Sequence, residues 1–534
     1  MKKVLILLLL VVSTLSLTSC TKDSEYVIKD ENLTNSTAID DNYRVFYEIF
    51  TGSFSDSNGD GVGDLKGIIN RLDYLNDGDI NSGKSLGVQG IWLTPIFKSP
   101  TYHKYDVTDY YTIDSSFGDM EDLKTLIDEC HKRDIKIILD LVINHTSTQN
   151  EWFKRFIASH QTNQINSEYY DFYSYHYLGE EHSGGTYHLA SGTNVCYEGN
   201  FTGEMPELNF DNPLVREKVV EVAKYYLDMG VDGFRFDAAK YIYFNNTEKS
   251  AQFWNWYLGE LRKIKPDIYT VGEVWSSDSE TQKYIEQGLN CFNFSVSQAE
   301  GKISTTAKGS NVTTYTRYVQ SYLDKINSYS NNPNPMIIQF IANHDMDRAG
   351  GFLPVATGDM YMAASLYILS SGSPFMYYGE EIGIRGSRGG ANTDANRRLA
   401  MLWGDGDTVK NPYEATYNSE FQTTDTVQSQ IVDEASLYNH YKKLIMIRNA
   451  NPEIARGEYK ALVFTTARVG GFKATYNGST VYVIHNTDME QIEVDLSKVT
   501  GLTASEIRAF AGLNGATLHG NILTIGGKTS VVLK

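Results

Sequence analysis

Four short stretches of the chain end in side chains able to hold or move charge. Gly233-Phe234-Arg235-Phe236-Asp237 alternates rings with charges. In a strand, residues two apart share a face, so Arg235 and Asp237 point one way and both Phe the other. A guanidinium beside a carboxylate favours the ionised form, which predicts an Asp237 that stays charged and nucleophilic. A structural ion pair would look the same in this strand alone. Gly272-Glu273-Val274-Trp275 brings a second carboxyl. Near existing negative charge its pKa should rise, which suits a general acid. Asn343-His344-Asp345 adds an imidazole and a third carboxylate, and Asp140-Leu141-Val142-Ile143-Asn144-His145 adds Asp, Asn and His. Taken singly, each could be a helix cap or a solvated loop. Three carboxylates with no HExxH, GxSxG or GxGxxG nearby point to sugar chemistry rather than proteolysis or redox.

These stretches need elements to hold them. Short β-rich runs recur at Val45–Phe50, Gly90–Thr94, Ile135–Ile143, Val231–Asp237, Ile268–Val274, Cys291–Phe294, Met336–Ala342 and Pro374–Tyr378. Helical patterns lie between them. Asp119 precedes Met120–Lys132, which carries Leu123, Leu126, Ile127 and Cys130 at helical spacing. Asn212-Pro213 opens another helix, with Val215, Val219, Val222 and Tyr226 on one stripe and Gly230 closing it. Eight strands with helical crossovers predict an α/β fold, a parallel (β/α)8 TIM barrel. The polar stretches then gather at one end of strands three, four, five and seven, the end that carries the active site in such barrels.

Spacing locates an insertion. Asp237 and Glu273 are 36 residues apart, one βα unit, and Glu273 and Asp345 are 72 apart, two units. His145 and Asp237 are 92 apart, which leaves an excess in the Tyr-, Gly- and Ser-rich segment 147–210. The barrel therefore covers 43–146 and 211–454, with an inserted domain at 147–210 after strand three. Beyond 455, the runs Thr480–Ile484, Ile492–Leu496, Ile522–Ile525 and Ser530–Leu533, with Gly and Asn turns, predict a C-terminal antiparallel β-sandwich.

In order and wording, DLVINH, GFRFDAAK, GEVW and IANHD resemble the four short sequence regions of the α-amylase family of glycoside hydrolases, family 13. Met205-Pro206-Glu207-Leu208-Asn209 is similar to the fifth region in groups intermediate between oligo-1,6-glucosidases and neopullulanases. The resemblance implies a retaining α-amylase that cuts internal α-1,4 bonds of starch, maltodextrins or related α-glucans. Asp237 would be its nucleophile, Glu273 its acid/base, and Asp345 the group that holds substrate hydroxyls and stabilises the transition state. Arg235, His145 and His344 would line the −1 sugar site, with Tyr105-Asp106 as the aromatic platform beneath it. Lys240 would reach the leaving-group side, and the insertion and the Trp275 ring would offer further walls for sugars on either side of the bond. Arg398 and Trp403 echo an RTPMQW stretch of oligo-1,6-glucosidases, but Leu399 and Ala400 replace its Thr-Pro. Tyr102-His103-Lys104 lacks the Asp that exo-acting relatives carry before the platform Tyr. In those relatives that Asp and a downstream Arg grip the terminal glucose; with Arg398 present but the Asp absent, the resemblance implies an open cleft with subsites on both sides of the bond. An α-glucosidase, neopullulanase or transglycosylase would carry the same motifs. A non-catalytic glucan-binding lipoprotein would be free to lose the three carboxylates, and all are present.

Asp56-Ser57-Asn58-Gly59-Asp60-Gly61-Val62-Gly63-Asp64 places oxygen ligands at alternate positions with glycines at the turns, as in the first part of an EF-hand loop. The expectation is a structural Ca2+ held by Asp56, Asn58, Asp60 and Asp64 side chains and the Val62 carbonyl. By the same resemblance Asn144 is a candidate ligand for a second calcium.

Lys2 and Lys3 precede the apolar run Val4–Val12, too short to span a bilayer of about 30 Å. This is a signal peptide, residues 1–19, ending in Leu17-Thr18-Ser19-Cys20, which resembles a bacterial lipobox with Cys20 as the lipidated residue. Acyl chains contribute about 0.8 kcal/mol per buried CH2, so two or more anchor stably. Residues 20–42 read as a polar tether. The expectation is an exported lipoprotein, a monomer, facing the exterior or the periplasm. A formal charge of −19 argues against a nucleic-acid partner. Cys130, Cys196 and Cys291 suggest no chemistry.

Overall fold

The computed structural model describes residues 41–79, 82–182 and 184–534. The signal peptide, Cys20 and nearly all of the tether lie outside the described residues.

Phe46–Ile49 (β1), Gly90–Leu93 (β2), Lys136–Leu141 (β3), Gly233–Phe236 (β4), Tyr269–Gly272 (β5) and Phe375–Tyr377 (β6) form one parallel sheet in the order β5-β4-β3-β2-β1-β6. The two remaining expected strands close it but shrink to single rungs. Cys291 bridges Gly272 and Phe292 bridges Ile338, both in parallel. The N–H groups of Ser373 and Phe375 then donate to Ile337 O and Gln339 O at 3.0 and 2.9 Å. A side chain interrupts the ladder: Asn290 Oδ1 accepts the Met336 N–H at 3.1 Å. The result is a closed (β/α)8 barrel. Rings fill its interior, with Phe46 stacked on Phe375 at 4.7 Å, and Phe292 5.1 Å from Phe375 and 5.6 Å from Trp92. It is a packed core rather than a pore.

The helices follow their sequence signals. Met120–Lys132 (α1) starts with a reciprocal capping box between Asp119 and Asp122. Pro213–Met229 begins at the Asn212 cap and stops at Gly230, whose φ of 113° suits glycine. Phe236 of β4 packs outward on Trp254 of the helix Thr247–Ile264, ring centroids 4.6 Å apart. That outward packing leaves Arg235 to the barrel interior.

The insertion holds a helix, Glu151–Gln161, and a three-stranded antiparallel sheet of Tyr175–Tyr177, Tyr187–Leu189 and Val195–Glu198. It rejoins the barrel just beyond the C-terminal end of β3: His145 bridges Glu207, and Leu208 N–H donates to Asn144 O at 3.0 Å. The C-terminal part is a sandwich of a five- and a three-stranded antiparallel sheet, with Leu462, Ile484 and Val531 of one packed with Val494, Leu523 and Ile525 of the other. Glu458–Leu462, Val469–Tyr476, Ile507–Gly512 and Ala516–His519 are strands that the sequence pattern did not mark. Val469–Tyr476 hides behind Gly470-Gly471. A Cβ on Gly471 would lie 2.0 Å from Val483 O, so glycine there serves close strand approach rather than a turn.

Candidate active site

Arg235 is the hub. Its guanidinium is fully buried, and Nη1 lies 2.8 Å from Asp140 Oδ1 and 2.7 Å from Asp237 Oδ1. Nη2 lies 3.2 Å from Glu273 Oε2. One cation at the end of β4 thus touches carboxylates from the ends of β3, β4 and β5. Ala238, directly after Asp237, takes a left-handed φ of 48°, an uncommon conformation for a residue with a Cβ. There its N–H donates to Glu273 Oε2 at 3.0 Å. The backbone after one carboxylate thereby positions the next.

The titration of Asp237 differs from the expectation. Burial pushes its carboxyl above the usual range, against Arg235, and Asp345 adds to the rise. Adjacency to a guanidinium is visible in sequence, but the cost of removing a carboxylate from water is not, and here it outweighs the ion pair. Glu273 is raised as expected, by burial first and then by Asp237 and Asp345, with Arg235 opposing. Asp345 goes the other way. Despite burial, His344 and Arg398 hold its carboxyl well below the usual range.

His344 lies between two acids, with Nδ1 2.6 Å from Glu48 Oε1 and Nε2 3.0 Å from Asp345 Oδ2. Although burial opposes it, those acids raise the imidazole to about 10, so it is charged at neutral pH. Tyr105 stacks on this ring at 5.5 Å, donates its hydroxyl to Asp140 Oδ2 at 2.9 Å and approaches His344 Nε2 at 2.6 Å. Tyr105 therefore links the Arg235 half of the cluster to the Asp345 half. Arg398 holds Asp345 Oδ1 at 2.8 Å and donates to His344 O at 3.0 Å. Its remaining nitrogen meets the Tyr102 hydroxyl at 3.0 Å. The stretch that lacks the Asp thus gives Arg398 a neutral partner.

His145 is buried and lowered to about 4 by that burial, so it is neutral, with Nε2 3.2 Å from Tyr105 O. Asp106 stands apart from the cluster: its Oδ1 accepts the hydroxyls of Ser99, at 2.6 Å, and Thr101. Lys240 donates to Trp275 O at 2.9 Å. Trp275 is 40% exposed and stacks on Phe294 at 5.1 Å. Opposite in kind, Phe201 of the insertion is 44% exposed, with its ring 5.2 Å from that of His145.

Asp140 and Tyr102 lie in stretches that the sequence singled out, but their partners could not be read there; Glu48 and Phe201 escaped the sequence reading altogether. Glu48 carried one local signal, a lone acid inside the apolar strand Phe46–Ile49.

In the 56–64 loop, Asp56 accepts the N–H groups of Asn58, Gly59 and Gly61, Asn58 Oδ1 that of Asp60, and Asp60 Oδ1 that of Val62. Asp64 caps the helix Leu65–Asn70 through Gly67 N–H and accepts from Ser57. Among the described residues no three His, Cys, Asp or Glu side chains converge as a metal cluster. Asn144 is buried, and its Oδ1 has no hydrogen-bond partner among the described residues. The buried Glu207 draws on the Asn144 amide and sits near the charge of Glu198.

The profile of the alpha amylase catalytic domain matches residues 48–457. Alpha-amylase 3 of Dictyoglomus thermophilum is 37% identical over 448 residues, 83% of this chain and 84% of its own. Oligo-1,6-glucosidase of Bacillus cereus is 28% identical over 533 residues, 85% of this chain and 91% of its own. Among solved structures, Eubacterium rectale Amy13B superposes with a TM-score of 0.86 at 35% identity, covering 94% of this chain and 98% of that one.

Proposed function

The chain belongs to the alpha-amylase family of glycoside hydrolases, and on that premise we propose that it is a retaining hydrolase of internal α-1,4 bonds in starch, maltodextrins or related α-glucans. The observation that carries this reading is one guanidinium in contact with both Asp237 and Glu273. Retention needs its two carboxyls about 5–5.5 Å apart, closer than the 6.5–9.5 Å or so that admits an inverting water.

In the proposed reaction Asp237 attacks the anomeric carbon while Glu273 gives its proton to the departing glycosidic oxygen. The bond to the leaving chain breaks as the ester to Asp237 forms. Glu273, now ionised, takes a proton from water, which displaces Asp237 and restores both groups. Asp345, kept ionised by His344 and Arg398, would hold substrate hydroxyls and face the positive charge of the transition state. Tyr105, His145 and His344 would wall the −1 sugar, and Lys240 and Trp275 the leaving chain.

Endo cleavage is supported by the Tyr102–Arg398 contact. A site that rejects chain interiors needs a buried polar group that only a chain end satisfies. Here a protein hydroxyl already satisfies Arg398. The test is the early product distribution from a long glucan. Maltose and longer chains, with rapid loss of iodine staining, are expected. Glucose as sole product while staining persists would overturn the reading.

We also propose that the 56–64 loop holds structural Ca2+. Its donors are hard oxygens, and each ionised carboxylate offers about four lone-pair sites, more than the loop N–H groups use. Asp56, Asn58, Asp60, Asp64 and the Val62 carbonyl would be the ligands. The partnerless Asn144 Oδ1, beside Glu207, suits a second cation. A ligand bound only to the folded state adds about 2.7 kcal/mol at a hundredfold excess over Kd. Chelation should therefore lower Tm. An unchanged melting curve, with no calcium found in the untreated protein, would contradict the assignment.

The lipid anchor at Cys20 remains part of the proposal. Cys20→Ala is expected to move the protein from the membrane fraction to the soluble one, and a soluble wild-type protein would refute it.

A further inference from the structure

A cavity of about 430 Å³ lies between the segment 108–111 and the start of the helix Glu151–Gln161. None of the residues around the carboxylate cluster lines it. Its wall combines Lys98, Asp109, Tyr111, Gln149, Glu151 and Lys154 with the half-buried ring of Trp152. Its volume lies in the range of small-ligand sites, about 300–1,000 Å³.

The rings are held in place. Tyr111 is 42% exposed and meets Tyr225, 38% exposed, edge-on at 5.2 Å. Trp152 is fixed against Tyr110 at 5.4 Å and Phe172 at 5.3 Å. Fixed aromatic rings with polar neighbours suit a ligand that has one apolar face and a hydroxyl-bearing edge.

Charge decides the class of ligand. Two lysines and two acids line the space, so it carries no net charge and favours neither an anion nor a cation. Lys98 and Lys154 have no ion-pair partner among the described residues, while Asp109 accepts from Tyr111 N–H and Thr112, and Glu151 from Arg155. The lysines thus supply donors, and the acids and Gln149 supply acceptors, for a neutral polyol.

We infer that this cavity is a second carbohydrate site, distinct from the cleft, that binds a stretch of α-glucan chain. Its choice of glucan rests on the hydrolase reading above. A long chain would occupy both places, whereas the second shares no lining residue with the carboxylate cluster that would hold a short substrate.

The test uses Tyr111→Ala with Lys98→Ala, two exposed positions outside the catalytic cluster. Affinity for soluble starch is read from retardation in starch-containing native gels, with Asp237→Ala added so that the polymer persists. Turnover of maltotriose is measured with Asp237 intact. The expected result is a several-fold weaker starch affinity with unchanged kcat/KM on maltotriose. Unchanged starch affinity would overturn the site, and so would a parallel loss on both substrates. Wild-type protein that is retarded through Tyr111 and Lys98 yet cleaves neither starch nor maltotriose would support the site and overturn the hydrolase reading instead.

Discussion

Replacing Asp237 by alanine is expected to abolish turnover, lowering kcat by several orders of magnitude while the protein stays folded. Groups that act as a unit in a transition state are strongly non-additive, and loss of the nucleophile removes the covalent route altogether. The fold should survive, because Arg235 keeps Asp140 at 2.8 Å and Glu273 at 3.2 Å. Removing a negative neighbour also lets Glu273 ionise more readily, since Asp237 contributes to its raised pKa. The check is kcat on a maltooligosaccharide alongside a melting curve. A variant with a tenth of wild-type activity, contaminating enzyme excluded, would remove Asp237 from that role.

Arg235→Gln should do more harm to the fold than any of the carboxylate changes. It leaves Asp140, Asp237 and Glu273 buried together without their cation, and breaking a buried pair from one side costs about 3–5 kcal/mol. The loss should depend on pH in a definite direction. Burial already raises all three carboxyls, Asp140 to about 7, with Arg235 opposing in each case. Without Arg235 they rise further. A carboxyl whose folded pKa lies above its unfolded value favours folding below the unfolded pKa, and that contribution disappears as pH climbs through the folded one. The deficit against wild type should accordingly be small near pH 4 and widen toward pH 8. Denaturant midpoints across that interval measure it. A deficit constant with pH would mean that Arg235 acts through its packing on Trp92, 5.2 Å away, and not through charge.

Much of this site was legible because strand periodicity and barrel topology are local rules. Phe234 and Phe236 had to face the helices once Arg235 and Asp237 faced inward, and the polar ends of four strands then met at one mouth. What escaped depends on contacts far apart in sequence. Glu48 reaches His344 across 296 positions, and Tyr102 reaches Arg398 across another 296. No spacing rule links such pairs. The state of Asp237 was misjudged for a related reason: its ionic partner is two residues away, but the burial that reverses the effect comes from the whole barrel. Strands six and seven were located correctly in the chain but overextended: a tight helical turn, Phe294–Val296, begins at the end of the first run, and the Asn290 side chain takes the Met336 N–H at the start of the second. The C-terminal strands were undercounted, and in Val469–Tyr476 the pair Gly470-Gly471 breaks the apolar pattern while allowing the close strand approach.

The most direct test of the account is the anomeric form of the first products, followed by proton NMR during the opening minutes of maltoheptaose hydrolysis, before mutarotation equilibrates them. Two displacements at one carbon, with Asp237 and then water as nucleophile, preserve its configuration. The account predicts that maltose and longer products appear first as α-anomers, with β-anomers growing in only at the rate of mutarotation. Products that appear first as β-anomers would contradict it, because a single displacement by water leaves no covalent role for Asp237.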